Sequence, residues 1–410
     1  MFRSKRTNGQ NASSFDYSAR SLLFHPLTLF VGVWGLIVFL YSLHLSGQLI
    51  FSTPRVLELT LWIVLPFIAS VIAFQTFCVV APKRLAVRRN QQFIVPEEIG
   101  RHLNYWFVFW VVCTVLEVIV SGGVPILWLL QGNSKTYMDF GLPSVHGFLN
   151  SLLMAIGVGQ FGLFALDGKK NRLWIPAWIV LWSVLAVTRN MMIVSLIQNA
   201  VVWGVLRGIR KRSLFHGVIA LMALVLMFGY MGDFRSGAEA FRAAAMPTAD
   251  YPDWLPSGVL WIYIYLTTPV GNLVNTAAAV APQYHLLFPN TTVLLFPTVL
   301  RKVVYGDAFL SDAMSGELVT DAFNVSTAYV GPYQDYGRVG IACFSVLLGL
   351  VASYCWGKRT FRDALIYGVL GQCLVLSIFF NHLFYLPVIS QIAWLCIFFR
   401  SSALTKQMKS

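Results

Sequence analysis

Five arginines, Arg189, Arg235, Arg242, Arg301 and Arg338, lie outside the basic clusters of this chain, each at the edge of an apolar run or in the one long segment between such runs. A guanidinium is a permanent cation with a planar fork of donors, suited to phosphate oxygens where the local dielectric is low. Asp233 and Asp335 each stand within a few residues of one of these arginines, and His382 follows Asn381 near the end of another apolar run. A carboxylate, or an imidazole that is neutral near pH 7, can take the proton from a hydroxyl group. Together these residue types imply a site that binds an oxyanion and deprotonates an alcohol. The simpler reading is local pairing, Asp233 with Arg235, Glu239 with Arg242 and Asp335 with Arg338. Arg189 has no acidic neighbour in sequence to pair with.

What positions these residues is a membrane. Hydrophobic residues make up 57% and charged residues 11% of the 410, and the mean hydropathy is +0.68, a balance that no water-soluble domain of this size tolerates on its surface. Long apolar runs cover residues 27–45, 57–81, 103–120, 148–166, 173–188, 191–206, 217–231, 339–356, 364–384 and 385–399. A span takes roughly 20 apolar residues, and barrel strands would show short alternating segments, so the fold class is an all-α polytopic membrane protein of about ten helices. The first run lacks a small-residue cleavage site after it and is read as a retained span.

With residues 1–26 in the cytoplasm, most of the 30 Lys and Arg fall on the inner connections, as the positive-inside bias requires. This divides the chain into a cytoplasmic segment 1–26, helices in 27–231, a large outer loop 232–338, helices in 339–399 and a cytoplasmic tail 400–410. The net charge of +13 is then a consequence of topology, and no nucleic-acid partner is implied. The apolar stretches 255–280 and 286–300 inside the loop are interrupted by Pro269, Asn272, Pro289 and Pro297, and read as re-entrant helices or as two extra spans, twelve helices in all.

The loop is rich in aromatic residues, among them Trp261, Tyr263, Tyr265, Tyr329 and Tyr333; ring faces with polar tips suit sugars, and suit an interfacial belt equally well. Glu117 is the one carboxylate well inside an apolar run, which makes it a functional suspect. The six cysteines all lie in apolar runs without metal-ligand spacing, and no phosphate loop, His-Glu-x-x-His or Gly-x-Ser-x-Gly motif occurs. No metal and no cofactor are demanded.

Three features resemble the bacterial oligosaccharide repeat-unit polymerases, the O-antigen polymerase or Wzy group. They are the tight turn Val187-Thr188-Arg189-Asn190, the stretch Tyr263 to Pro269 with Asn272, and the block Phe323-Asn324-Val325-Ser326-Thr327 followed by Asp335-Tyr336-Gly337-Arg338. An Arg-x10-Gly pattern associated with these polymerases is met by Arg338 and Gly349. The resemblance implies a fold similar to the GT-C glycosyltransferases at the periplasmic face of the inner membrane. There a glycan held on undecaprenyl diphosphate is transferred to a sugar hydroxyl of the next lipid-linked unit, with a chain-length regulator as a possible partner. On that footing Arg189, Arg235 and Arg338 bind diphosphate, Arg242 and Arg301 bind diphosphate or acidic sugar, and Asp335, His382 or Asp233 is the base. Tyr263, Tyr265, Asn272, Asn324, Tyr329 and Tyr333 line the sugar cavity.

Two related readings compete. The O-antigen ligase has the same class of fold, but its His-x10-Gly pattern occurs here only as His146 with Gly157, outside the long loop. A lipid-linked glycan flippase is the non-enzyme alternative, and its usual short loops do not match a loop of this length.

Overall fold

The computed structural model describes residues 22–80, 97–208, 215, 217, 219, 222, 238–252, 254–284, 288–297, 299–304, 315–320, 323–357 and 360–400. The helices are α1 (Pro26–Ser42), α2 (Thr53–Val80), α3 (Glu97–Ser121), α4 (Pro125–Leu130), α5 (Val145–Asp167), α6 (Trp174–Leu185) and α7 (Arg189–Leu206). They continue with α8 (Ala238–Ala245), α9 (Ser257–Ala279), α10 (Pro289–Thr292), α11 (Val330–Gly357), α12 (Phe361–Val375) and α13 (Leu386–Phe398). No strand occurs among the described residues; one isolated antiparallel bridge, Ser46 with Pro247, ties the α1–α2 connection to the chain after α8.

Among the described residues six helices are long and apolar enough to cross a membrane, and α1 and α13 are shorter apolar helices. In a bilayer every backbone polar group must be satisfied internally, which a helix does within its own segment. The run at 173–188 forms α6 of 12 residues, about 18 Å at the helical rise and less than the hydrocarbon thickness. The run at 217–231 lies largely outside the described residues. Two expectations are corrected. Residues 288–297 form only the four-residue α10 and a single tight turn after it, because Pro289 and Pro297 bracket the segment, so the 286–300 stretch is no spanning helix. Helix also starts before the run at 339–356: α11 opens at Val330, is broken at the non-helical Tyr336 and Gly337, and only its second segment takes up that run, so helix reaches into the expected loop.

α5 and α12 are the central helices: 83% of the apolar window of each is buried, against 22–44% for the other four long helices. Glycine makes this possible. A Cβ at Gly157, Gly159 or Gly162 would run into Ile179, Phe399 or Leu365, and at Gly368 or Gly371 into Val202 or Val201 of α7. Small residues let helix backbones approach where no hydrophobic drive against lipid exists. One core joins α3, α5, α6, α7, α12 and α13; a second joins α1, α2, α9, α11 and α12. Outward faces keep bare apolar side chains such as Phe39, Leu65, Phe109 and Ile119, as a lipid-facing surface does.

Three sets of contacts show which helix ends lie together. α7 and α12 are antiparallel, Gln198 meeting Gln372 and Val202 meeting Gly368, so Arg189 sits at the end where α12 finishes. α2 and α11 are parallel, Glu58 meeting Arg338 while Ser70 and Phe67 meet Gly349. α3 finishes where α5 starts, through Glu117 and His146. At the opposite end, Arg172 pairs with Asp167 at 2.8 Å, and Arg207 donates to the carbonyls of Ala165 and Leu166 that close α5, where a cation suits the helix dipole.

Candidate functional site

The long segment expected to carry the chemistry is organised by a break in α11. Tyr336 (φ −144°, ψ 20°) and Gly337 (φ 60°, ψ −142°) interrupt the helix at the Asp335-Tyr336-Gly337-Arg338 block. Such a left-handed φ is cheap for glycine. Two carbonyls freed by the break are used at once: Gln334 O accepts from Gln283 N and Asp335 O from Tyr284 N, both at 2.8 Å.

Asp335 is fully buried and its carboxylate is spent. Oδ1 accepts from Asn290 N (3.0 Å) and Asn290 Nδ2 (2.8 Å), and Oδ2 accepts from Thr291 N (2.8 Å) and Thr291 Oγ1 (2.6 Å). Gly331 allows this approach, since a Cβ there would meet the Asn290 backbone. The expectation of a general base at Asp335 is therefore corrected: four donors fill the lone pairs that a base needs. Its pairing with Arg338 is also absent, because Arg338 meets Glu58 at 2.6 Å, both side chains more than half exposed.

The Asn290–Thr291 turn reaches the α12–α13 connection. Asn381 Nδ2 donates to Thr291 O at 3.1 Å, and Asn381 Oδ1 accepts from Phe384 N at 3.2 Å. His382 follows, buried at 5% exposure, its ring edge-on to Phe380 and Tyr385. Burial pushes the imidazole down to about 4, so it is the neutral, proton-accepting form at pH 7.

Arg189 opens α7 from a strained turn. Thr188 N donates to Ser183 O (2.9 Å) and Val187 N to Val184 O (3.1 Å), a Schellman closure of α6 that places Val187 at φ 55°. A β-branched residue at positive φ is a true outlier. Arg189 is exposed and makes no ion pair or side-chain hydrogen bond with the described residues. Arg242 is half-buried on α8 without an ion pair to Glu239, and Arg301 is half-buried in the segment after α10. Asp233 and Arg235 lie outside the described residues.

Most of the expected sugar-binding residues serve the scaffold, which corrects that assignment. Tyr263 donates to Leu40 O at 2.9 Å and accepts from Leu45 N at 3.1 Å, fastening α9 to α1. Asn272 holds the loop, donating to Phe323 O and Val325 O and accepting from Val319 N. Tyr329 is wholly buried against Trp34 and Phe344, and Tyr333 donates to Ala277 O at 2.9 Å. Tyr265, at 39% exposure beside Trp261 and Phe323, and the exposed Asn324 stay accessible.

Glu117 has a partner that spacing did not reveal. Its carboxylate accepts from His146 Nδ1 (2.9 Å) and Leu142 N (3.1 Å), and Asn150 Nδ2 lies 2.9 Å from His146 Nε2. This brace sets the start of α5. Glu58, Asn290, Thr291 and Tyr385 were also missed as contributors to this end. The chain matches no protein-family model, and no curated protein or solved structure is significantly similar to it.

Proposed function

We propose that the protein is a polymerase of undecaprenyl-diphosphate-linked oligosaccharide repeat units, a membrane glycosyltransferase acting at the periplasmic face of the bacterial inner membrane with both termini in the cytoplasm. The observation that carries this reading is Arg189. It is an exposed guanidinium set by a strained turn at the end of the apolar bundle that also holds Arg242, Arg301, Arg338 and the neutral His382. Strained backbone persists where the surrounding structure over-determines it, and it clusters at functional sites.

In this scheme the acceptor sugar hydroxyl attacks the anomeric carbon of the donor glycan. The new glycosidic C–O bond forms as the C–O bond to the diphosphate breaks, and the diphosphate lipid leaves with the electron pair. The hydroxyl proton passes to His382, or to Asp233. The arginines neutralise the leaving diphosphate, which is most of the catalytic demand when the donor is already activated. Tyr265, Trp261 and Asn324 offer the accessible surface for sugar.

The test is the surface-glycolipid ladder of a deletion strain complemented with wild type or with Arg189→Ala. Collapse to a lipid bearing one repeat unit, restored by wild type alone, supports the polymerase. Full-length chains stranded on the carrier would instead make it a ligase, and an unchanged ladder rejects both.

A further inference from the structure

A cavity of about 20 Å³ lies where four pieces of chain meet: α10 with the turn after it, the residues entering α11, the first turn of α11 and the α12–α13 connection. Its polar side chains, Asn290, Thr291, Thr327 and Asn381, are all buried, Asn381 being the most exposed at 9%. Size limits what such a space holds. One water needs about 10–15 Å³ measured in this way, so there is room for a single small molecule and none for a sugar or a phosphate.

The lining decides which small molecule fits. None of the described side chains on its walls carries a charge, and donors and acceptors are mixed, so a cation meets the amide hydrogens of Asn381 and an anion meets the carbonyl of Thr291. Asp335 stands behind Asn290 and Thr291 with its lone pairs filled by them. Three groups on the walls keep bonding capacity. Thr327 Oγ1 accepts from Tyr329 N at 3.2 Å, which leaves the hydroxyl hydrogen to donate. Asn381 Nδ2 gives one of its two hydrogens to Thr291 O at 3.1 Å, and that carbonyl accepts with one of its two lone pairs. Two donors and one acceptor call for a neutral partner that both accepts and donates. Cavities that stay dry are lined by apolar groups, and buried waters make about three hydrogen bonds.

We infer that one water molecule is an integral part of this junction, accepting from Thr327 Oγ1 and Asn381 Nδ2 and donating to Thr291 O. It joins the chain entering α11 to the α12–α13 connection. The turn that carries His382 is then held twice, by Asn381 directly against Thr291 and through the water against Thr327. This site is independent of the polymerase reading.

The experiment exposes the full chain in nanodiscs to short X-ray pulses and reads side-chain hydroxylation by mass spectrometry, because radicals formed from a bound water label the residue beside it. Leu294, on the cavity wall and 6% exposed, is the reporter; Leu59 on α2, also 6% exposed, is the control. Leu294 is expected to be labelled several-fold faster than Leu59, and to take up heavy oxygen slowly after mixing into heavy-oxygen water. Thr327→Val keeps the shape, removes the hydroxyl and is expected to lower the Leu294 rate several-fold while the Leu59 rate stays. Thr327→Ser keeps the hydroxyl and is expected to preserve both. Leu294 labelled no faster than Leu59 in the wild-type chain overturns the site, and so does a Leu294 rate unchanged by Thr327→Val. Should the valine chain fail to fold, the wild-type and Thr327→Ser rates still decide, since loss of the Leu294 excess in either rejects the water.

Discussion

Thr291 donates twice to Asp335 Oδ2, through its amide at 2.8 Å and its hydroxyl at 2.6 Å, while Asn290 does the same for Oδ1. A carboxylate so closed is a fastener between α11 and the segment that leads to Arg301. Asp335→Asn turns one acceptor into a donor that faces donors, and is expected to cost about 3 kcal/mol, as for other broken buried polar networks. Denaturant unfolding in micelles, with hydrogen exchange over 288–297, measures it. Wild-type stability in this variant would refute the fastening role.

Arg338 and Glu58 form a close pair at the surface. Exposed pairs contribute about 0–1 kcal/mol, so Arg338→Ala and Glu58→Gln should each leave the unfolding transition nearly in place. If Arg338 binds diphosphate, Arg338→Ala lowers polymerisation by more than tenfold at normal protein levels, whereas Glu58→Gln does not. Parallel losses in stability and ladder length would point to a structural pair.

Val187 holds φ 55° so that α7 can begin at Arg189. Val187→Gly removes the Cβ clash and should raise stability by about 1 kcal/mol despite the added freedom of the unfolded chain. Arg189→Ala, at an exposed helix start, should leave stability unchanged. Thermal unfolding of the two purified variants separates strain from function, and a Val187→Gly protein less stable than wild type would show that the turn carries no strain.

His382 makes stability depend on pH with a definite sign. The unfolded chain takes up the proton near the ordinary value of 6.5 and the folded chain only near 4. Between these values the unfolded state binds more protons. The contribution is therefore complete above pH 6.5 and is lost as pH falls towards 4, by an amount on the order of 3 kcal/mol. His382→Gln should flatten the profile in this window. A wild-type profile already flat from pH 7 to 4.5 would contradict the burial of a neutral imidazole.

Membrane class, helix type and the approximate place of most spans were legible in the sequence because hydropathy and charge act locally, residue by residue. Glu117 stood out too, since a lone carboxylate in an apolar run is visible without a fold, though its role as a brace with His146 was not. The destinations of the polar tips were not. Asp335 looked like a base beside an arginine, and Tyr263, Asn272, Tyr329 and Tyr333 looked like a sugar lining. Yet each meets a group 16 or more residues away: Asn290, Leu40, Phe323, Ser345 and Ala277. A buried donor or acceptor must find a partner, and the packing of α1, α9 and α11 chooses which one. The sequence by itself thus determined that this chain lives in a membrane as helices with stray arginines. Only the tertiary structure decided which polar groups are consumed in holding the fold and which, as at Arg189, meet no partner among the described residues, because a hydrogen bond is satisfied by position in space and not by distance along the chain.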